Sequence, residues 1–181
     1  VLKKAKQQGY SFDLDPECEF FLFETDEEGN PTTRTREKAG YLDVAPLDQG
    51  ENARRDMILT LEEMGFEIES SHHEDAPAQH EVDFKQAQGV KVADQIVTFR
   101  STVRTIAQRH GLHATFMPKP RTDLPGSVIV FKYFRIPGRK KHVCGSSGGE
   151  RIESGSLLFY CRTSVTYEWN GCNRQSDCQF I

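Results

Sequence analysis

No apolar run in the sequence approaches the roughly 20 residues of a membrane-spanning helix. Residues 1–20 also lack the basic, apolar and small-residue order of a signal peptide. Both absences point to a cytoplasmic protein. Positive charge is in short supply too. Lys and Arg total 23 against 27 Asp and Glu, the net charge is −4 and the pI is about 5.9. Non-specific attraction to nucleic acid or anionic lipid is therefore not expected. Cysteine is scarce in the first 120 residues, where Cys18 stands alone. The later cysteines, Cys144, Cys161, Cys172 and Cys178, contain no C-x-x-C pair, and a disulfide framework would need an oxidising compartment for which no signal exists. The chain also lacks an initiating Met: it starts at Val1 in a helix-like stretch, VLKKAKQQGY, as expected of a fragment with an upstream part missing.

What is present suffices for a core. The 181 residues, 36% of them hydrophobic, correspond to one domain or to a piece of a larger one. Their character changes near Pro120: residues 1–120 carry a net charge of −8, whereas residues 121–181 carry +4 and include the single Trp, Trp169. The first part alternates strands and helices. The Phe-rich stretch 12–24 suits a strand, closed by the turn-forming DEEGNP, after which a hairpin or loop is expected. Ala53, Met57, Ile58, Leu61 and Met64 recur at helical spacing over 51–64, and Gly65 marks the stop. Val92, Ile96, Phe99, Val103, Ile106 and His110 predict a second amphipathic helix that stops at Gly111, with LHATFM as a following strand. Between the helices, FEIESSHHEDAPAQHEVDF reads as two strands joined by a turn at Ala76, Pro77 and Ala78.

The acids and imidazoles concentrate in these strands. Glu17 and Glu19, two apart on a strand, project from one face while Cys18 points to the other. Glu74 and Glu81 flank the predicted turn, with His72 on the face of Glu74. Four ionised carboxylates around one cavity repel unless cations sit among them, and hard divalent ions such as Mg²⁺ or Mn²⁺ prefer oxygen ligands. Taken alone, a pair of acids on a strand is more often a solvated face, and His72, His73 and His80 suit hydrogen-bonded structural roles equally.

PECEFFLF, ENARRD, GFEIESSHHEDAPAQHEVDF and RHGLHATFMPKP, in this order and at these separations, resemble the catalytic domain of bacterial type I glutamine synthetase. The resemblance covers residues 1–120. It implies an α/β (α+β) fold, part of a catalytic domain with a curved antiparallel sheet backed by helices. It also implies that Glu17, Glu19, Glu74 and Glu81 match ligand positions of two divalent metal sites. Glu69 matches a position that contacts ATP, and Phe84, Lys85 and Gln86 match the nucleotide-binding stretch, although Phe84 reads equally as core and Lys85 as a solvated charge. Asp75 and Ala78 depart from the family pattern, which usually has an apolar residue and often Gly there. The implied chemistry is attack of the glutamate side-chain carboxylate on the terminal phosphate of ATP, followed by displacement of the acyl phosphate by ammonia. Family members are dodecamers whose active sites also use a neighbour's small N-terminal domain, so a chain of this extent is expected to be inactive. A metal- or nucleotide-binding remnant, and a ligase acting on another amine, stay open as alternatives.

After FMPKP the family continues with a loop resembling L-F-G-x-N-G-S-G-M-H, whereas this chain has RTDLPGSVIV. Read one base later, the codons of residues 175–181 permit N-P-T-V-N-S-Y, those of 132–143 permit N-I-S-V-F-R-D-G-K-N-T-F and those of 156–163 permit A-Y-Y-F-I-A-G-L, all family-like and in family order. Residues 121–125 fit the third frame better, as Y-G-L-T-G, so more than one insertion or deletion is needed. Residues 121–181 are thus expected to be a frameshifted, non-native tail, and the basic run RKKH at 139–142 an accident of translation rather than a binding patch.

Overall fold

A computed structural model of the chain describes residues 2–7, 13–135 and 157–163. Trp169, Cys144, Cys172, Cys178 and the run 139–142 lie outside the described residues. Helix α1 (Leu2–Gln7) precedes the long strand β1 (Asp13–Glu24). A loop then leads to helix α2 (Glu51–Glu63), followed by the hairpin of β2 (Ile68–His73) and β3 (Gln79–Phe84). The short β4 (Ala87–Gln88) enters helix α3 (Gly89–Arg109), and β5 (Leu112–Thr115), β6 (Ile129–Arg135) and β7 (Leu157–Thr163) complete the order. Among the described residues seven strands form one sheet in the order β2-β3-β1-β6-β7, with β4 and β5 also paired to β1 and every pairing antiparallel. No helix of the described residues is long and apolar enough to cross a membrane.

Strand alternation divides β1 between two environments. Cys18, Phe20 and Leu22 face α2 and α3 and join Met57, Leu61, Val82, Phe84, Phe99 and Val103 in the main core. Phe20 and Phe99 meet edge to face at 6.0 Å, and burying each such ring contributes roughly 1.5–3 kcal/mol. Phe21 and Phe23 point the other way and stack at 5.3 Å under Ala76, Ala78 and Leu124, so the β2–β3 turn closes one end of the opposite face.

The helices stop where left-handed backbone follows, at Gly65 (φ +88°) and Gly111 (φ +70°), a conformation that costs glycine no Cβ clash. Two positions in the helical patterns differ from expectation. Met64, the α2 C-cap, is exposed, and His110 leaves the core to place Nε2 2.8 Å from Asp56 Oδ2, tying α3 to α2. Strand β5 is shorter than LHATFM, ending at Thr115. The DEEGNP turn is held by Asp26, which accepts the Glu28 and Asn30 amides at 3.1 and 2.6 Å, and leads into a loop rather than a second hairpin strand.

Candidate metal centre

Register builds the site. Glu17 lies opposite Asp83, and Glu19 opposite Glu81, on β1 and β3, while His72 of β2 lies opposite Glu81. Alternation puts all five on the sheet face away from the helices, together with Glu74 just beyond β2. His72 stands between two carboxylates: Nδ1 is 3.3 Å from Glu74 Oε1 and Nε2 is 3.8 Å from Glu81 Oε2. One ligand atom from each of His72, Glu81 and Asp83 lies within 4.8 Å of the others, a spacing that one cation can span. Asp83 Oδ2 accepts the Ser70 hydroxyl, whereas its buried Oδ1 has no hydrogen-bond partner. Glu19 is held at the edge of the group, where Oε2 accepts Gln79 Nε2 at 2.7 Å and the Val128 amide at 3.0 Å.

The electrostatics match this crowding. Burial pushes the Glu81 carboxyl well above the ordinary carboxylate range, and its contacts with Glu74 and Asp83 push it further. Burial, with Asp83, Glu81 and Glu17 nearby, also raises the Cys18 thiol, which is thereby inert. An acid-rich site of oxygen donors with an unpartnered Asp83 oxygen fits a hard divalent cation.

The other face of the same hairpin carries a second charged group, entirely buried. Glu37 Oε1 accepts the Gln49 and Gly50 amides at 2.6 and 3.4 Å, and its Oε2 accepts the Ala78 amide at 2.6 Å and lies 3.1 Å from His73 Nε2. Burial opposes ionisation of Glu37, but the His73 hydrogen bond and the Gln49 amide outweigh it and take the carboxyl down to about 2. Arg54 donates to Asp48 Oδ2, His80 Nδ1 and Ser71 Oγ, each at 2.8 Å. Because Arg only donates, His80 Nδ1 accepts and Nε2 carries the proton. Burial and the Arg54 charge bring the His80 ring down to about 3, so it is neutral. Glu37, Asp48, His73 and His80 also approach within 4.8 Å of one another, but Arg54 already supplies the cation there.

The sequence-derived nucleotide positions fall at the end of the hairpin. Glu69 is exposed at the β2 bulge, where the register shifts between Ile68 and Ser70. Lys85 pairs with Glu67 at 2.7 Å in solvent, and Gln86 is exposed beside it. Phe84 is fully buried, its ring against Phe66 and Phe99, as the core reading of this position expected. Sequence reasoning missed Asp83, although its spacing of two from Glu81 placed it on the same face. It also missed Glu37, Asp48 and Arg54, which no local pattern marked.

An antiparallel sheet backed by helices, with carboxylates of β1, β3 and the turn after β2 gathered on its open face, defines an α/β domain with a candidate metal site. Residues 1–130 match the family model described as glutamine synthetase, catalytic domain. The chain belongs to that family. It is 62% identical over 131 residues to the glutamine synthetase of Clostridium saccharobutylicum, covering 70% of this chain and 30% of that protein. It is 52% identical over 160 residues to that of Staphylococcus epidermidis, covering 88% and 36%. Its fold is similar to a GmaS protein solved as an ADP complex, with a TM-score of 0.66, 27% identity, and 74% of this chain and 31% of that one covered. A Plasmodium falciparum glutamine synthetase shares the fold at a TM-score of 0.64 and 20% identity, covering 74% and 32%. The chain thus spans about a third of the length of the curated relatives it matches.

Proposed function

We propose that the chain is the part of a cytoplasmic glutamine synthetase that supplies the carboxylate face of the metal site, for ATP-dependent ligation of ammonia to glutamate through a γ-glutamyl phosphate. The observation that carries this reading is the three-strand register that sets Glu17, Glu19, Glu81, His72 and Asp83 on one face, with Glu74 just beyond β2 at 3.3 Å from His72. These residues would hold Mg²⁺ or Mn²⁺, in two sites, with Glu69 and the stretch Phe84, Lys85 and Gln86 beside the nucleotide. When bound, the divalent ions offset the repulsion between the glutamate carboxylate and the ATP terminal phosphate. The carboxylates would ligate rather than transfer protons, since each would be committed to a cation. His72 stands between Glu74 and Glu81, 3.3 and 3.8 Å from their carboxylates. Similarity to a protein solved as an ADP complex supports a nucleotide as ligand.

The reaction belongs to a longer, dodecameric protein. This chain by itself is proposed to be inactive, because positioning of substrates supplies much of the rate in such ligations. The assay is phosphate release with glutamate, ammonia, ATP and Mg²⁺. Glutamate-dependent turnover is expected from a full-length version with the family reading frame restored, and none from this chain. A full-length protein without glutamate-dependent turnover would overturn the reading. Residues 121–181 are proposed to be out of frame, supported by the ordered family-like motifs in the shifted codons. DNA sequencing through the Pro120 codon should reveal the slips; an intact printed frame with abundant Trp169-containing peptides would contradict this.

A further inference from the structure

We infer that Glu37 is a positioning residue for the metal carboxylates, acting from the opposite face of the sheet through the turn that joins β2 to β3. The inference rests on the reading of Glu74 and Glu81 as ligands. Glu37 lies in the loop between β1 and α2 and is 6% exposed. Its single carboxylate grips both sides of the turn: Oε2 is 3.1 Å from His73 Nε2 on one side and accepts the Ala78 amide at 2.6 Å on the other. Glu74 follows His73 directly, and Glu81 lies three residues beyond Ala78.

Ala78 makes this grip necessary. Its φ of +67° is a left-handed conformation that a residue with a Cβ adopts reluctantly. The Ala78 carbonyl accepts the Leu22 amide at 2.8 Å, so the same residue docks the turn onto β1, the strand that carries Glu17 and Glu19. Glu37 Oε1, bound to the Gln49 and Gly50 amides, anchors the clamp to the start of α2. Releasing Ala78 from this position lets the turn relax toward right-handed backbone and changes the separation of Glu74 from Glu81. Because successive strand residues face opposite sides, even a small slip at the turn displaces the whole carboxylate set.

The test is a titration of the full chain with Mn²⁺, following the free ion by electron paramagnetic resonance. Glu74→Gln, a ligand change, should remove binding, and Glu37→Gln should weaken it by about 10–100-fold, the usual cost of losing an outer partner of a metal ligand. Ala78→Gly, placed in the Glu37→Gln background, should recover most of the affinity, since glycine holds the turn without the clamp. A purely structural Glu37 lowers the melting temperature but leaves Mn²⁺ affinity of the folded variant at the wild-type value, and that result overturns the inference. Should Glu37→Gln not fold, Glu37→Asp withdraws the carboxylate from the Ala78 amide while keeping its charge, and the same loss and recovery are expected. Wild-type protein that binds no Mn²⁺, or Glu74→Gln that binds normally, overturns the ligand reading itself, a different outcome from a silent Glu37.

Discussion

On the helix side of the β2–β3 hairpin, Arg54 serves Asp48, His80 and Ser71 while amides and His73 surround Glu37. On the open side, the partners of Glu74, Glu81 and Asp83 among the described residues are the His72 ring, the Ser70 hydroxyl and the Asp75 amide. Both sets come from the same few residues, split by strand alternation. The helix-side anions have their countercharge within the chain. Among the described residues no Lys or Arg pairs with Glu74, Glu81 or Asp83, and Glu81 is driven toward its protonated form. Buried charge paired within the chain holds a particular geometry, whereas a crowd of acids with few partners is a candidate cation site.

This contrast can be broken from the buried side first. Arg54→Met should have the largest effect on stability, about 3–5 kcal/mol, because it strands the buried Asp48 without its cation. A denaturant melt that hardly moves would mean the helix-side network is not self-sufficient. Gly50→Ala comes next, since its Cβ would lie 2.4 Å from His80 Nε2 in a packed interior, and a cost of about 1–3 kcal/mol is expected.

Acid titration gives a smaller, signed effect. The Glu37 carboxyl is depressed from 4.5 to about 2, so its stabilisation is present above the unfolded value and disappears as pH falls toward 2. Wild type and Glu37→Gln should therefore differ most at neutral pH and converge in acid; curves that stay parallel would show that Glu37 is not held ionised. Smallest of all, Lys85→Ala at the exposed Glu67 pair should leave the melting temperature unchanged. If Lys85 serves the nucleotide, ATP affinity of the full-length protein falls all the same.

Much of this was legible in the sequence because it depends on short-range periodicity. Glu17 and Glu19 against Cys18, the turn at Ala76 to Ala78, and both helices with their glycine stops follow from spacing alone. The juxtaposition of β1 with β3 was not legible from spacing, since nothing local sets the register of Glu19 against Glu81. Glu37 and Arg54 were invisible for a related reason. Their partners lie 41 and 26 residues away, at Ala78 and His80, and a charged residue in a loop or on a helix reads as solvated until its burial is known.

The most direct test of the central claim is the melting temperature of wild type, Glu74→Gln and Glu81→Gln, each with and without Mn²⁺. Gln resembles the protonated acid that Glu81 tends toward, so without metal both variants should melt at or above the wild-type temperature. Mn²⁺ at about 100 times its Kd should stabilise wild type by about 2.7 kcal/mol and the variants far less. Variants that keep the full Mn²⁺-induced shift would show that Glu74 and Glu81 are not the ligands, and that the open face is merely an acidic surface.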